Sequence, residues 1–390
     1  MPVRWLALAL AFVAALVVGP QATSQQAAAP PIPASLTAEQ FWKLSVDLSE
    51  PAGFFRSENL VSNEHTYQYV IPALKKAVLP GGIYLGVAPD QNFTFMAAIR
   101  PRMAFILDIR RGNLLEHLMY KALFELSTDR ADFVSRLFSK SRPAGLTETT
   151  TVYALFSAYA RVNTSETLYR KNLAAIKDHL VRVRSIPLSA DDLEQLESIY
   201  FSFFWEGPAL RYSSPPPVTT AGPFRGGGAG GGSRMAFFPS YEDLIVQTDW
   251  DGTPRSYLAT EDNFRFIKGL EQKNLIVPVI GNFAGPKALR SIGRYLRERL
   301  APVTAFYVSN VEQYLYQDNV FDAFAKNVKT LPVDSRSTFI RSVSARFGYD
   351  GPMTWSDGRA TALYPIQQFV RDFELGLLPT YWDVNARSSK

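Results

Sequence analysis

Four predominantly apolar stretches, Ile83 to Val87, Met103 to Ile109, Leu275 to Ile280 and Val303 to Val308, constrain this chain more than any other feature. A strand with one face in water alternates apolar and polar residues, whereas a strand buried on both faces reads as a continuous apolar run. Segments of helical period separate these runs, so the chain predicts βαβ units and a parallel sheet. The fold class is therefore α/β: a Rossmann-like parallel sheet flanked by helices, with a helical insertion. A further strand is expected at Leu244 to Gln247 and a weaker one at Thr338 to Val343.

Helix starts follow from capping chemistry. Thr37-Ala38-Glu39-Gln40 has the form of a capping box and opens a helix through Leu48. A second helix is expected over Glu64 to Val78, stopped by Pro80-Gly81-Gly82. Asn113 with Glu116, and Ser309 with Glu312, have the spacing of a cap and its third-position carboxylate, which places helix starts just after Asn113 and Ser309. Further helices are expected over Asp129 to Phe138, Val152 to Ala160, Thr164 to Val183, Asp191 to Phe204 and Glu261 to Gln272. Pro286 suits a first helical position before Lys287 to Arg299. The domain is expected to run over 37–345, with the helical insertion at 113–208 and a Gly- and Pro-rich loop at 213–234. A C-terminal extension, 346–390, is expected to pack on it.

Arg4, the apolar run Trp5 to Val18 and the small residues Ala22-Thr23-Ser24 have the form of a secretory signal over 1–24. Residues 25–36, rich in Ala, Gln and Pro, are expected to be a disordered lead-in. The apolar run is shorter than the ~20 residues of a membrane span, so membrane contact is expected only through this segment if it is uncleaved. The body of the protein is expected to be exported, periplasmic or extracellular. Cysteine is absent, which excludes disulfides, thiolate nucleophiles, zinc-thiolate sites and iron-sulfur clusters. Forty-one Lys and Arg against 36 Asp and Glu leave +5, spread along the chain, which excludes the footprint of a nucleic-acid binder.

In an open α/β sheet, ligands bind beyond the carboxyl ends of the strands. That rule selects Gly86 to Asn92, Asp108, Gly281 to Gly285 and Ser309-Asn310. The separation of Gly86 and Asp108 suits a glycine turn and a ribose-binding carboxylate, about 20 residues apart in dinucleotide folds. Asp108 equally suits a structural pair with Arg110 or Arg111. Glu64 is either a helix-dipole partner or reaches over the crevice. The glycine tract lacks a phosphate-loop lysine, no GxSxG occurs, and His65, His117 and His179 form no metal motif. Arg290, Arg294 and Arg297 read as a solvated helix face. With 27 Phe and 18 Tyr, runs such as Tyr200 to Trp205 need a buried face, and the insertion is expected to pack over the sheet as a lid. Such a lid would shape an apolar pocket, so the small-molecule ligand is expected to be hydrophobic or aromatic and not a polymeric anion.

The order of Gly86, Asp108, Asn282 and the following strand resembles the class I S-adenosylmethionine-dependent methyltransferase fold. The resemblance implies that the first turn, with Gly86, Asp90 and Asn92, holds the amino-acid part of S-adenosylmethionine. It further implies that Asp108 holds the ribose and that Asn282 lies near the reacting group. Where that family carries an acid and further glycines, this chain has Tyr84, Ala88 and Asp90, which opens the alternative of a noncatalytic small-ligand-binding protein of the cell envelope. A structural partner in an envelope assembly is a third reading, and the oligomeric state stays open. Tyr84 to Phe93 and Ala305 to Glu312 also resemble a bacterial family of unassigned function, over about Phe41 to Val343.

Overall fold

The computed structural model describes residues 30–212, 238–350 and 358–388. The expected signal over 1–24 and the whole of the Gly- and Pro-rich loop at 213–234 lie outside the described residues. Six strands form one sheet: β1 Ile83–Gly86, β2 Met103–Asp108, β3 Ile276–Ile280, β4 Val303–Ser309, β5 Val333–Ser344 and β6 Arg359–Pro365. Their spatial order is β3-β2-β1-β4-β5-β6. The first five are parallel and β6 runs antiparallel to β5. Every residue of β1, β2 and β3 is buried, as the absence of polar alternation requires. The fold is thus the α/β, mostly parallel sheet flanked by helices, and the strand order reverses direction between β1 and β4.

Helix α1 (Ala38–Leu48) has the full Thr37–Gln40 capping box and lies along β3, where Ser45 Oγ donates to the Pro278 carbonyl at 2.5 Å. Of the expected lead-in 25–36, residues 30–36 are ordered: Ile32 is buried, and the Leu36 amide donates to the Lys273 carbonyl. The second helix is shorter than expected. Pro72 has no N–H to give to residue 68, so the chain makes a 3₁₀ turn over Tyr67–Val70 and α2 begins at Ile71, ending at Ala77. Helix α3 (Gln91–Ile99) joins β1 to β2.

Among the described residues, seven α-helices separate β2 from β3: α4 Arg111–Leu126, α5 Arg130–Leu137, α6 Val152–Ala160, α7 Glu166–Asp178, α8 Ala190–Glu206, α9 Tyr241–Val246 and α10 Glu261–Gln272. Helix α9 replaces the strand expected at Leu244 to Gln247. Three consecutive apolar residues have no period of their own, and the Ser240–Asp243 capping box decides the local conformation. Helix α4 begins two residues before Asn113, with Arg110 at the cap, so Asn113 and Glu116 are interior to it and cap nothing.

Helix α11 (Ala288–Arg297) follows β3. Its N-terminus is capped from a distance: the Glu50 carboxylate accepts the amides of Lys287 and Ala288, both at 2.7 Å. Pro286 therefore lies outside the helix. Arg290, Arg294 and Arg297 are exposed on it. Helices α12 (Val311–Gln317) and α13 (Phe321–Val328) link β4 to β5. Glu312 is not the carboxylate of a capping box: the Asn310 cap has no side-chain bond, and Glu312 pairs with Arg341 of β5 at 2.6 Å, both almost fully buried. The Arg341 guanidinium also lies 4.4 Å from the Tyr364 ring centroid on β6. Beyond residue 346 the chain supplies β6, α14 (Ile366–Glu374) and α15 (Tyr381–Ala386). Among the described residues no helix is long and apolar enough to cross a membrane.

The Glu312–Arg341 pair gives a test of the sheet's far half. Removing one partner of a buried ion pair strands the other charge, at a cost of about 3–5 kcal/mol. Arg341→Ala is expected to lower urea-unfolding stability by that amount, and Arg341→Met with Glu312→Leu to recover most of it. Equal losses in the single and double variants would contradict the pairing.

Candidate functional site

The carboxyl ends of β1, β2, β3 and β4 open into one crevice with a cavity of about 170 Å³. Its walls come from Val87, Ala88 and Gln91 after β1, Leu107 to Arg110 after β2, Gly281 to Phe283 after β3, and Ser309 to Val311 with Tyr314 after β4. The segment before α2 supplies Phe54, Phe55, Asn59, Ser62 and Asn63, and Tyr212 closes one side. The reversal of strand order between β1 and β4 splays their following loops apart, which creates the concavity.

Asp108 and Arg110 form the charged part of the wall. Arg110 Nε donates to Asp108 Oδ1 at 3.0 Å and Nη2 to Oδ2 at 2.9 Å, while the Arg110 amide also donates to Oδ1 at 2.9 Å. The remaining guanidinium nitrogen, Nη1, donates to the carbonyls of Ser57 and Glu58. Arg110 is thus the structural partner of Asp108, and Arg111 turns away to pair with Asp192 on α8. The rest of the polar lining is neutral: Asn59, Asn63, Gln91, Asn282 and Asn310 contribute carboxamides, and Ser62 and Ser309 hydroxyls. Asp318 is charged but sits at the exposed rim.

Asp108 and Asn282 both line the cavity. Gly86, Asp90 and Asn92 do not. Asn92 is fully buried, and its amide plugs the turn after β1: Nδ2 donates to the carbonyls of Val87 at 2.8 Å, Ala88 at 3.1 Å and Pro89 at 2.7 Å, while Oδ1 accepts from Tyr84 at 2.8 Å. Gly86 serves this plug, because a Cβ there would lie 1.9 Å from Asn92 Oδ1. Asp90 points inward, where burial raises its pKa to about 7 against an opposing hydrogen bond from Tyr257.

Behind the wall, α4 carries a buried polar stripe of Asn113, Glu116, His117 and Tyr120, spaced to share one helix face. Neither Glu116 oxygen has a hydrogen-bond partner among the described residues, and burial holds its pKa well above the carboxylate range. His117 Nε2 lies 2.9 Å from the Ala88 carbonyl, which only accepts, so this nitrogen carries the proton. Burial lowers the ring's pKa to about 4, which leaves it neutral with Nδ1 as an acceptor. Glu64, well away from the start of α2, lies under the crevice and accepts from Tyr307 at 2.6 Å and Ser309 at 2.5 Å. Gln91 falls within the stretch Gly86 to Asn92 that the strand-end rule selects, whereas sequence reasoning did not find Asn59, Asn63 or Tyr212 as wall residues; the first two precede any strand, and only the fold brings them to the crevice.

A family model matches residues 59–191 and 234–376, which include the crevice loops after all four strands. The chain belongs to the family described as domain of unknown function DUF7790. No curated protein matches it.

Asp90 yields a pH test with a defined sign. Its carboxyl titrates near 3.8 when unfolded and near about 7 when folded, so the native state binds the extra proton between those values. Its contribution to stability is full below the unfolded value and is lost as pH rises toward the folded one. Asp90→Asn is expected to become progressively more stable than the wild type from pH 4 to 7, by up to about 4 kcal/mol, in denaturant titrations. A constant difference over that range would show that Asp90 is ionised in the native state.

Proposed function

We propose that this protein binds a small, uncharged, hydrogen-bonding molecule in the crevice without chemically transforming it. The carrying observation is the lining: five carboxamides and several aromatic faces surround a charged pair whose two members satisfy each other. Such a wall offers donors and acceptors to a neutral ligand, and no unpaired cation for a phosphate. Catalysis needs a general base or nucleophile within hydrogen-bond reach of the ligand. Asp90, Glu116 and His117 are absent from the lining, Asp108 is held by Arg110, and the remaining carboxylate of the lining, Asp318, is exposed to solvent at the rim. The turn after β1 is filled by Asn92, which supports the same reading.

Methyl transfer from S-adenosylmethionine is the second reading. The strand order of the parallel core and the placement of Asp108 at the end of β2 favour it. A cavity of about 170 Å³ is small beside the roughly 300–1,000 Å³ of most small-molecule sites, which weighs against a cofactor of that size. The reading also requires Val87, Ala88 and Gln91 to take the place of Gly86, Asp90 and Asn92 at the cofactor. We further propose that the chain is exported, on the strength of the signal-like segment over 1–24.

A thermal-shift screen of uncharged nucleosides, monosaccharides and small amides tests the first reading. A binder at a hundredfold excess over its Kd stabilises by about 2.7 kcal/mol, and Gln91→Leu with Asn282→Leu is expected to abolish the shift. A flat screen, or stabilisation by phosphate esters instead, would contradict it. Calorimetric heat with both S-adenosylmethionine and its demethylated product, together with methyl transfer, would replace it with the second.

A further inference from the structure

A second concavity of about 660 Å³ lies away from the crevice and shares no residue with it. It runs between the α2 segment, a tight turn at Trp250, the start of β5 and the edge strand β6. Small side chains, Ala73, Ala77, Ala360 and Ala362, make part of its floor.

Trp250 is 59% exposed, a large apolar surface to leave in water. Its turn is nonetheless firmly built. The buried Asp249 carboxylate accepts the amides of Asp251 at 3.0 Å and Thr253 at 2.9 Å and the Arg255 guanidinium at 2.7 Å, and Gly252 supplies the left-handed φ of 75° that closes the loop. Gln68 ties this loop to the body, accepting the Arg255 amide at 2.7 Å and donating to the Leu244 carbonyl at 2.9 Å. One face of the indole stacks on Tyr69, with ring centroids 4.3 Å apart and an interplanar angle of 29°. The indole is therefore oriented in advance.

Lys76 and Arg336 line the same groove from opposite elements, α2 and β5. Both are exposed, and neither makes an ion pair among the described residues. Among the described lining residues Asp251, beside Trp250, is the one carboxylate against the two cations Lys76 and Arg336. Ser335 and Thr361 add hydroxyls.

We propose that this groove is a second binding site, for an acidic saccharide. A sugar ring packs its C–H face on the open side of Trp250, and its carboxylates meet Lys76 and Arg336. The volume falls within the roughly 300–1,000 Å³ of small-molecule sites, and the fixed indole lowers the ordering cost of binding.

Fluorescence or calorimetric titration of the full chain with tetragalacturonic acid tests the site, with the uncharged methyl-esterified tetramer as control. The acid is expected to bind, and both Trp250→Ala and the double variant Lys76→Gln/Arg336→Gln to weaken it by about tenfold or more. The esterified tetramer is expected to bind about as weakly as the acid does to the charge variant. The exposed Lys76 and Arg336 positions keep the test valid if Trp250→Ala fails to fold. Absence of binding, indifference to the charge variant, equal binding of the esterified control, or full retention of binding in a folded Trp250→Ala protein would overturn the proposal.

Discussion

The Arg110 guanidinium is the interaction on which the crevice depends. It grips the Asp108 carboxylate at the end of β2 through two nitrogens and reaches the carbonyls of Ser57 and Glu58 with a third. A strand end, the start of α4 and the segment before α2 are thereby joined at one buried cation. Both partners of the pair are nearly inaccessible, so each charge relies on the other, and loss of either exposes the wall to a large desolvation penalty. This geometry also fixes the electrostatic character of the cavity: the two buried charges are spent on each other, and carboxamides make up much of the remaining polar wall.

A second consequence concerns the turn after β1. In folds of this architecture that turn approaches a ligand through glycine backbone. Here the space is taken by Asn92, whose amide satisfies three successive carbonyls, and Gly86 is glycine to admit that amide. Acidic groups are instead drawn inside, with Asp90 and Glu116 in surroundings that favour their protonated forms. Groups with raised carboxyl pKa values thus lie in the interior, while the charges of the crevice are the Asp108–Arg110 pair and Asp318 at its rim.

The sheet was legible in the sequence because burial on both faces leaves predominantly apolar runs without alternation, and strands β1 to β4 fall on the four that stand out. Helix starts were harder to place. Asn113 and Ser309 have cap chemistry, but whether a residue caps depends on where the preceding strand releases the chain, and α4 begins at Arg111. The run Leu244 to Val246 was too short for its period to separate strand from helix, and the Ser240–Asp243 box settled it. Asp108 and Asn282 were found because they directly follow strands. Asp90 and Asn92 follow one too, yet their side chains turn inward, a matter of side-chain direction within a turn that spacing does not encode. Asn59, Asn63 and Tyr212 reach the cavity only through long-range folding.

The central claim is that four strand ends and the segment before α2 enclose one cavity that holds a small neutral molecule. Native mass spectrometry of the protein isolated gently from its natural source addresses it most directly, in parallel with the Gln91→Leu/Asn282→Leu variant. The account predicts a noncovalent adduct of a single uncharged small molecule on the wild type, absent from the variant. An adduct retained equally by both, or one that carries a phosphate group, would contradict it.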